Sequence, residues 1–201
     1  IRLENGEIKE LIETAETGDG LSERQAKYQK NTKVRDVALI TLFLGTGIRI
    51  SELVGLNIED IFFENNSFIV TRKGGNRTIL YFTDEVKNAL LDWLKYRETI
   101  EGLPEDERAL FVSLQNKRIS VRAVENLVKK YAKIVTPLKK ITPHKLRSTF
   151  GTKLYRETGD IYIVADYLGH KDINTTKKHY AAVSDDMRKS AIKTVSLKSD
   201  D

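Results

Sequence analysis

The chain has 201 residues and no cysteine. That absence excludes a disulfide scaffold, a thiolate zinc site, an iron–sulfur cluster and a cysteine nucleophile, and it fits a reducing cytoplasm. No apolar run approaches the ~18–20 residues of a membrane span, and no secretory apolar segment opens the chain. No GxxxxGK[ST] pattern occurs, so Gly45-Thr46-Gly47 is not a nucleotide-binding loop. GxSxG is missing too. No Asp, Glu or His cluster has metal-ligand spacing, which disfavours metal-dependent nuclease chemistry. Neither a cofactor nor a metal is expected. Internal repeats and low-complexity segments are absent, and there is no aromatic ribonucleoprotein signature for RNA. Histidine is rare: His144, His170 and His179 all lie in the last third. The chain opens on Ile1 rather than methionine, as a piece of a longer protein would.

The residues present describe a globular chain. Hydrophobic residues make up 40% and charged residues 31%. A chain of this length buries roughly 70% of the surface it would expose unfolded, so disorder is excluded as its main state. The length fits one compact domain, or one with a small extension. The net charge of +5 is unevenly spread. Asn126 to Arg156 holds nine Lys or Arg (Lys129, Lys130, Lys133, Lys139, Lys140, Lys145, Arg147, Lys153, Arg156) and no Asp or Glu. Ile1 to Lys30 holds five basic and seven acidic residues, and Glu98 to Glu107 is acid-rich. A basic segment of this kind is either a solvated helix face or a surface for a polyanion, of which duplex DNA or RNA is the usual one.

Periodicity predicts mainly helix with one small sheet. Residues 7–17 read as a helix stopped by Gly18 and Gly20. Val34 to Leu44 is apolar nearly all round, a central buried helix ended by Gly45 and Gly47. Ser51 to Leu56 adds a short turn or helix. Between Asp60 and Phe82, three apolar runs (61–63, 68–71 and 78–82) are separated by Asn65-Asn66 and Gly74-Gly75-Asn76, which predicts an antiparallel three-stranded sheet. Helix returns over 84–99, with Val86, Leu90, Trp93 and Leu94 on one face. An acidic connection, Leu103 to Arg108, follows. Ser120 to Val135 is amphipathic, striped by Val121, Val124, Val128, Tyr131 and Val135. Thr142-Pro143 starts the next helix as N-cap and first residue, with Leu146, Phe150 and Leu154 facing the core. Shorter helices are expected at 160–168, ended by Gly169, and at 174–180 and 185–194.

Several polar residues stand where chemistry is possible. His144 and Arg147 lie at i and i+3, so they share a helix face near its N-terminus. They form either an anion site or a surface pair. Arg49 follows the most apolar helix, where a partly buried guanidinium needs a partner. That partner is either a ligand or a carboxylate, Glu52 or Asp60. Lys73 sits in a tight turn beside Gly74-Gly75, flanked by Arg72 and Arg77, and is either functional or solvated.

Read together, these residues resemble one family. Thr46-Gly47-Ile48-Arg49-Ile50-Ser51-Glu52-Leu53 resembles the first arginine motif of the tyrosine recombinase (phage integrase) family. His144-Lys145-Leu146-Arg147 is similar to its H-x-x-R box, and Leu168-Gly169-His170 to its L-G-H motif. Lys73, 24 residues after Arg49, matches the hairpin lysine, and Tyr180, ten beyond His170, stands where the family places its nucleophile. The order is complete from Arg49 to Tyr180. The last step is one residue longer than is usual in the family, and His179 matches no family role.

The resemblance implies a mainly α fold with a small three-stranded antiparallel sheet, the catalytic-domain fold of that family. It implies one catalytic domain over 1–201, with 1–30 an N-terminal helix and linker and 184–201 a C-terminal helix or tail. The family usually carries a preceding core-binding helical domain, which 1–30 is too short and too acidic to replace. The implied function is site-specific DNA recombination through a 3′-phosphotyrosyl intermediate, for a phage or mobile element. The implied catalytic set is Arg49, Lys73, His144, Arg147, His170 and the nucleophile Tyr180. Candidates for DNA binding are Arg72, Arg77, Lys129, Lys130, Lys133, Lys139, Lys140 and Lys145. The implied partners are double-stranded DNA and, in the synaptic complex, a tetramer of the protein itself, with no membrane and a cytoplasmic, nucleoid-associated location. Two other functions fit the same residues: strand relaxation of the type IB topoisomerase kind, and a non-catalytic helical DNA-binding domain.

Overall fold

A computed structural model describes residues 2–197. The expected tail is therefore described only as far as 197, and Ile1 and 198–201 lie outside the described residues. The described chain is mainly helical, with nine α-helices and one antiparallel sheet ordered β1-β2-β3. Among the described residues, no helix is long and apolar enough to cross a membrane. The chain forms two compact units, Ile1–Thr149 and Phe150–Asp201.

The first unit begins with α1 (Asn5–Thr17) and α2 (Glu23–Thr46). Helix α2 starts eleven residues before the expected Val34, in a polar stretch. Ser22 explains the early start. Its hydroxyl accepts from Gln25 N–H at 3.2 Å, and Gln25 Oε1 accepts from Ser22 N–H at 3.0 Å. This reciprocal cap satisfies two orphan donors and nucleates helix without apolar periodicity. Gly45 does not end α2. A Cβ there would stand 2.5 Å from Val86 Cγ2, so the missing side chain lets the segment carrying Val86 approach. The end falls at Gly47, which takes a left-handed conformation (φ 64°) and closes onto Phe43 O at 3.0 Å.

After α3 (Ile50–Gly55) come β1 (Ile61–Phe62), β2 (Ser67–Thr71) and β3 (Arg77–Tyr81). Phe68 pairs with Ile61 on one side and Leu80 on the other, so three buried side chains line one sheet face. Phe63, expected in the first strand, falls outside β1 and instead tilts against Phe82, with ring centroids 6.2 Å apart. Helix α4 (Asp84–Arg97) buries Val86, Leu90 and Trp93. The Trp93 indole N–H donates to Leu110 O at 2.8 Å, and the buried Arg97 guanidinium donates to the Ala109 and Glu107 carbonyls. These bonds tie down the long acidic connection.

Helix α5 (Val121–Val135) buries Val124, Leu127, Val128, Tyr131 and Ala132, while Val121 is exposed. The buried face keeps Val124, Val128 and Tyr131 of the expected stripe and takes in Leu127 and Ala132 in place of Val121 and Val135, and Tyr131 reaches the fully buried Asp36 of α2. The Tyr131 hydroxyl donates to Asp36 Oδ2 at 2.6 Å, and Arg35 Nε and Nη2 donate to Asp36 Oδ1 at 3.0 and 2.9 Å. Burial, chiefly, and the adjacent carboxylate push the Tyr131 phenol far above its ordinary range.

The boundary between the units falls within α6 (Pro143–Thr158). Thr142 caps its start as expected, its carbonyl accepting from Leu146 N–H at 3.1 Å. The second unit adds α7 (Ile161–Leu168), α8 (Ile173–His179) and α9 (Ala181–Ile192). Asp160 and Asp172 cap α7 and α8. Its core is a small cluster of Tyr155, Val164, Leu168, Tyr180 and Val183.

Candidate active site

In the first unit, Arg49 is the residue that enters α3, held in extended backbone geometry (φ −75°, ψ 149°). The turn between α2 and α3 thus places it at a helix N-terminus. The carboxylates expected to pair with it are used otherwise. Glu52 Oε1 accepts from the Arg49 N–H at 3.0 Å, and Glu52 Oε2 lies 3.7 Å from Arg72 Nε. Asp60 accepts from Asn57 N–H at 2.9 Å and pairs with Arg77 at 3.4 Å. Among the described residues, no carboxylate pairs with the Arg49 guanidinium. A half-buried cation in that state is poised for an anion from outside the protein.

Arg147 is brought to the same turn. Its Nη1 donates to Gly47 O at 2.6 Å, two residues before Arg49. Arg147 is 7% exposed, whereas its i−3 neighbour His144 is exposed. The two therefore do not present equally to solvent, as helix spacing alone predicts. The cause is tertiary, since the Gly47 carbonyl draws the guanidinium inward. Partial burial, then the charges of Lys145 and Arg147, hold the His144 imidazole below its ordinary value of 6.5. At neutral pH it is a neutral ring able to take a proton.

Lys73 is exposed at the tip of the β2–β3 hairpin, on the turn closed by Arg72 N–H donating to Asn76 O at 2.7 Å. A groove of about 820 Å³ in the same unit is lined by Ile50, Asn126, Lys129, Lys133, Lys140 and His144, among others. It gathers four cations of the basic segment, Lys129, Lys133, Lys139 and Lys140, on one surface. Two candidates for DNA binding are committed elsewhere. Lys130 is mostly buried, 3.8 Å from Asp36 Oδ2 and stacked over the Tyr131 ring. Lys139 Nζ bonds both Glu7 oxygens at 2.7 Å and the Arg2 carbonyl at 3.3 Å. Both are anchored because folding brings a carboxylate beside each, Asp36 beside Lys130 and Glu7 beside Lys139. Lys145 is half-buried on α6.

In the second unit, Tyr180 occupies the break between α8 and α9 (φ −104°, ψ 15°). It is 2% exposed. Its ring packs on Tyr155 at 6.2 Å and meets His179 edge-on at 4.8 Å. The hydroxyl lies directly against α6 at Gly151, where a Cβ would overlap it. His170 Nδ1 is 2.6 Å from the hydroxyl of Thr176, which is fully buried. That bond fixes the ring orientation and leaves Nε2 as the ring's other polar atom. Thr176 carries no motif, so sequence reasoning missed it. Nothing in the polar run around it, Asn174 to His179, singles it out.

A model of the phage integrase family matches residues 2–187. Curated relatives include tyrosine recombinase XerC of Thermodesulfovibrio yellowstonii, 39% identical over 151 residues, or 74% of this chain and 50% of that protein. Tyrosine recombinase XerC of Caldanaerobacter subterraneus subsp. tengcongensis is 41% identical over 162 residues, covering 80% and 44%. The chain spans about half the length of the curated relatives it matches. Among solved structures, XerA recombinase superposes with a TM-score of 0.78 at 28% identity, over 95% of this chain and 65% of that one. The Tn1549 transposon integrase, solved with transposon right end DNA, superposes at 0.70 and 24% identity, over 97% and 66%, a likeness of fold.

Proposed function

This chain belongs to the phage integrase family, and from that premise we propose that it is the catalytic part of a site-specific DNA recombinase. Residues 1–201 act as one catalytic domain within a longer protein. The observation that carries the reading is the pairing of two arginines from distant segments, with Arg147 bound to the carbonyl at Gly47 and Arg49 two residues on.

The reaction is attack of the Tyr180 hydroxyl on a DNA phosphodiester. The new bond joins tyrosine oxygen to phosphorus, and the bond to the 5′-oxygen breaks. A 3′-phosphotyrosyl link and a free 5′-hydroxyl result. Return attack by a 5′-hydroxyl of a partner duplex completes the exchange, with bond energy conserved in the ester. Arg49 and Arg147 neutralise charge gathering on the non-bridging oxygens, for which planar guanidinium forks are suited. His170 adds a hydrogen bond to the same phosphate. The tyrosine proton must leave, because its ordinary pKa of about 10 forbids spontaneous ionisation at neutral pH. The neutral His144 imidazole assists its removal. Lys73 donates a proton to the departing 5′-oxygen. No step calls for a metal ion.

Duplex DNA is the partner, and the groove lined by Lys129, Lys133 and Lys140 receives its backbone. On DNA the protein assembles as a tetramer. The exposed Ala191 and Ile192 at the end of α9, with Val195 just beyond it, serve as anchors on a neighbouring copy. Deleting 184–201 then weakens assembly on DNA, and unchanged assembly rejects that role.

The test is strand exchange between two duplexes that carry the protein's site, recovered by selecting a randomised DNA pool for covalent capture. Exchange supports recombination. Relaxation of supercoiled plasmid without exchange identifies a topoisomerase-like enzyme, and binding with neither identifies a DNA-binding module. Whether the recovered site lies at the ends of a phage or mobile element is read from its sequence.

A further inference from the structure

The buried carboxylate of Glu52 is used twice. One oxygen accepts from the Arg49 N–H at 3.0 Å. The other lies 3.7 Å from Arg72 Nε, with the two side chains 4% and 12% exposed. Arg72 also closes the hairpin with both of its backbone groups. Its N–H donates to Asn76 O at 2.7 Å, and its carbonyl accepts from Gly75 N–H at 3.0 Å. The next residue is Lys73. We propose that Arg72 is a positioning residue that latches the base of the lysine hairpin onto Glu52, and through it onto the main chain at Arg49. The separation between the proton donor and the phosphate-binding guanidinium is then fixed within one unit. This rests on the reading of Lys73 as the donor.

Three features support a latch over a DNA contact. The two glycines of the hairpin tip have open space beside them, since a Cβ at Gly74 or Gly75 would meet no atom within 4 Å. The placement of Lys73 is therefore decided at the base of the turn. The Arg72 side chain is turned inward, whereas Arg77 at the other end of the turn is well exposed at 62%. A buried carboxylate also requires a cation, so the link is enforced from the Glu52 side. Proton donation needs the ammonium within hydrogen-bond reach of the leaving oxygen, and a displacement of about 1 Å removes most of that advantage.

The test uses the whole protein and a nicked suicide duplex selected from a randomised pool by covalent capture. The duplex is made in two forms, with oxygen or with sulfur at the bridging 5′ position of the cleaved bond. In both, the Tyr180 oxygen forms a bond to phosphorus and the bridging bond breaks. An oxygen leaving group must take a proton, whereas a thiolate leaves without one. Arg72→Met and Lys73→Met are each expected to slow capture of the oxygen duplex, by about 10²-fold for the lysine variant and somewhat less for the arginine variant. Both are expected to cleave the sulfur duplex within a few-fold of wild type. Duplex affinity stays unchanged, and Arg72→Lys is intermediate because it keeps the charge without the fork.

Equal slowing of Arg72→Met on both duplexes, while Lys73→Met is rescued, overturns the latch alone. So does a weaker affinity with a salt dependence reduced by about one phosphate contact, which makes Arg72 a DNA ligand. Failure of sulfur to rescue Lys73→Met overturns the donor reading and the latch with it. No capture by wild type overturns the transesterification itself.

Discussion

In the unit ending at Thr149, the proposed catalytic cations are held by polar and charged contacts. Arg147 meets the Gly47 carbonyl at 2.6 Å and the Arg49 main chain meets Glu52 at 3.0 Å, while the hairpin is drawn to Glu52 by the charge of Arg72 at 3.7 Å. In the unit beginning at Phe150, the proposed nucleophile is seated in an apolar cluster of Tyr155, Val164, Leu168 and Val183. Hydrogen bonds fix position and angle, whereas apolar contact fixes volume and exclusion of water. The proposed phosphate-binding cations are therefore held by charge and hydrogen bonds, and the proposed nucleophile by packing around its ring. Changes of charge should break the first, and changes of volume the second.

The largest effect is expected from Tyr180→Phe, which keeps the volume and removes the oxygen. Covalent capture should vanish on denaturing gels while duplex affinity is retained. Next comes Arg49→Ala, which loses one transition-state contact. It should slow capture by about 10²–10³-fold, or roughly 3–4 kcal/mol of barrier. Gly151→Ala probes the packed half. Its methyl would overlap the Tyr180 hydroxyl and stand 3.1 Å from Leu168 Cδ1. Such overpacking costs about 1–3 kcal/mol in thermal unfolding, and capture should slow without loss of DNA affinity. Tyr131→Phe leaves the buried Asp36 oxygen short of a donor and should cost about 1–3 kcal/mol of stability, with the capture rate unchanged at saturating DNA.

The smallest effect concerns pH. His144 has a folded pKa below 6.5, so its neutral form dominates above that value. Capture should fall only as pH drops through a limb lying under 6.5. Lys145→Gln removes a secondary cause of the lowering. The limb should then move up, by a modest amount because partial burial is the larger cause. A limb that stays fixed in both Lys145→Gln and His144→Gln removes His144 from the proton path.

The sequence made the helices with apolar periodicity legible, together with the three strands and their turns. It failed where polar contacts made at a distance decide. The first half of α2 has no apolar face and is started by the Ser22–Gln25 cap. Gly45 reads as a stop because glycine usually is one, yet it serves the close approach of Val86. The motif residues themselves were all legible as candidates. Their partners were not, because Glu52 is three residues from Arg49 on either reading. Only the fold shows that it takes the backbone N–H and Arg72 instead of the Arg49 guanidinium. Lys130 and Lys139 likewise read as surface charge until α2 and α1 bring Asp36 and Glu7 beside them.

The most direct measurement is a covalent trap in EDTA. The whole protein is incubated with its nicked suicide duplex, run on a denaturing gel, and the modified peptide is identified by mass spectrometry. The account predicts a protease-sensitive adduct that survives EDTA, carries the DNA on Tyr180, and is absent from Tyr180→Phe. An adduct on another residue, or none from wild type while DNA binding is intact, would contradict it.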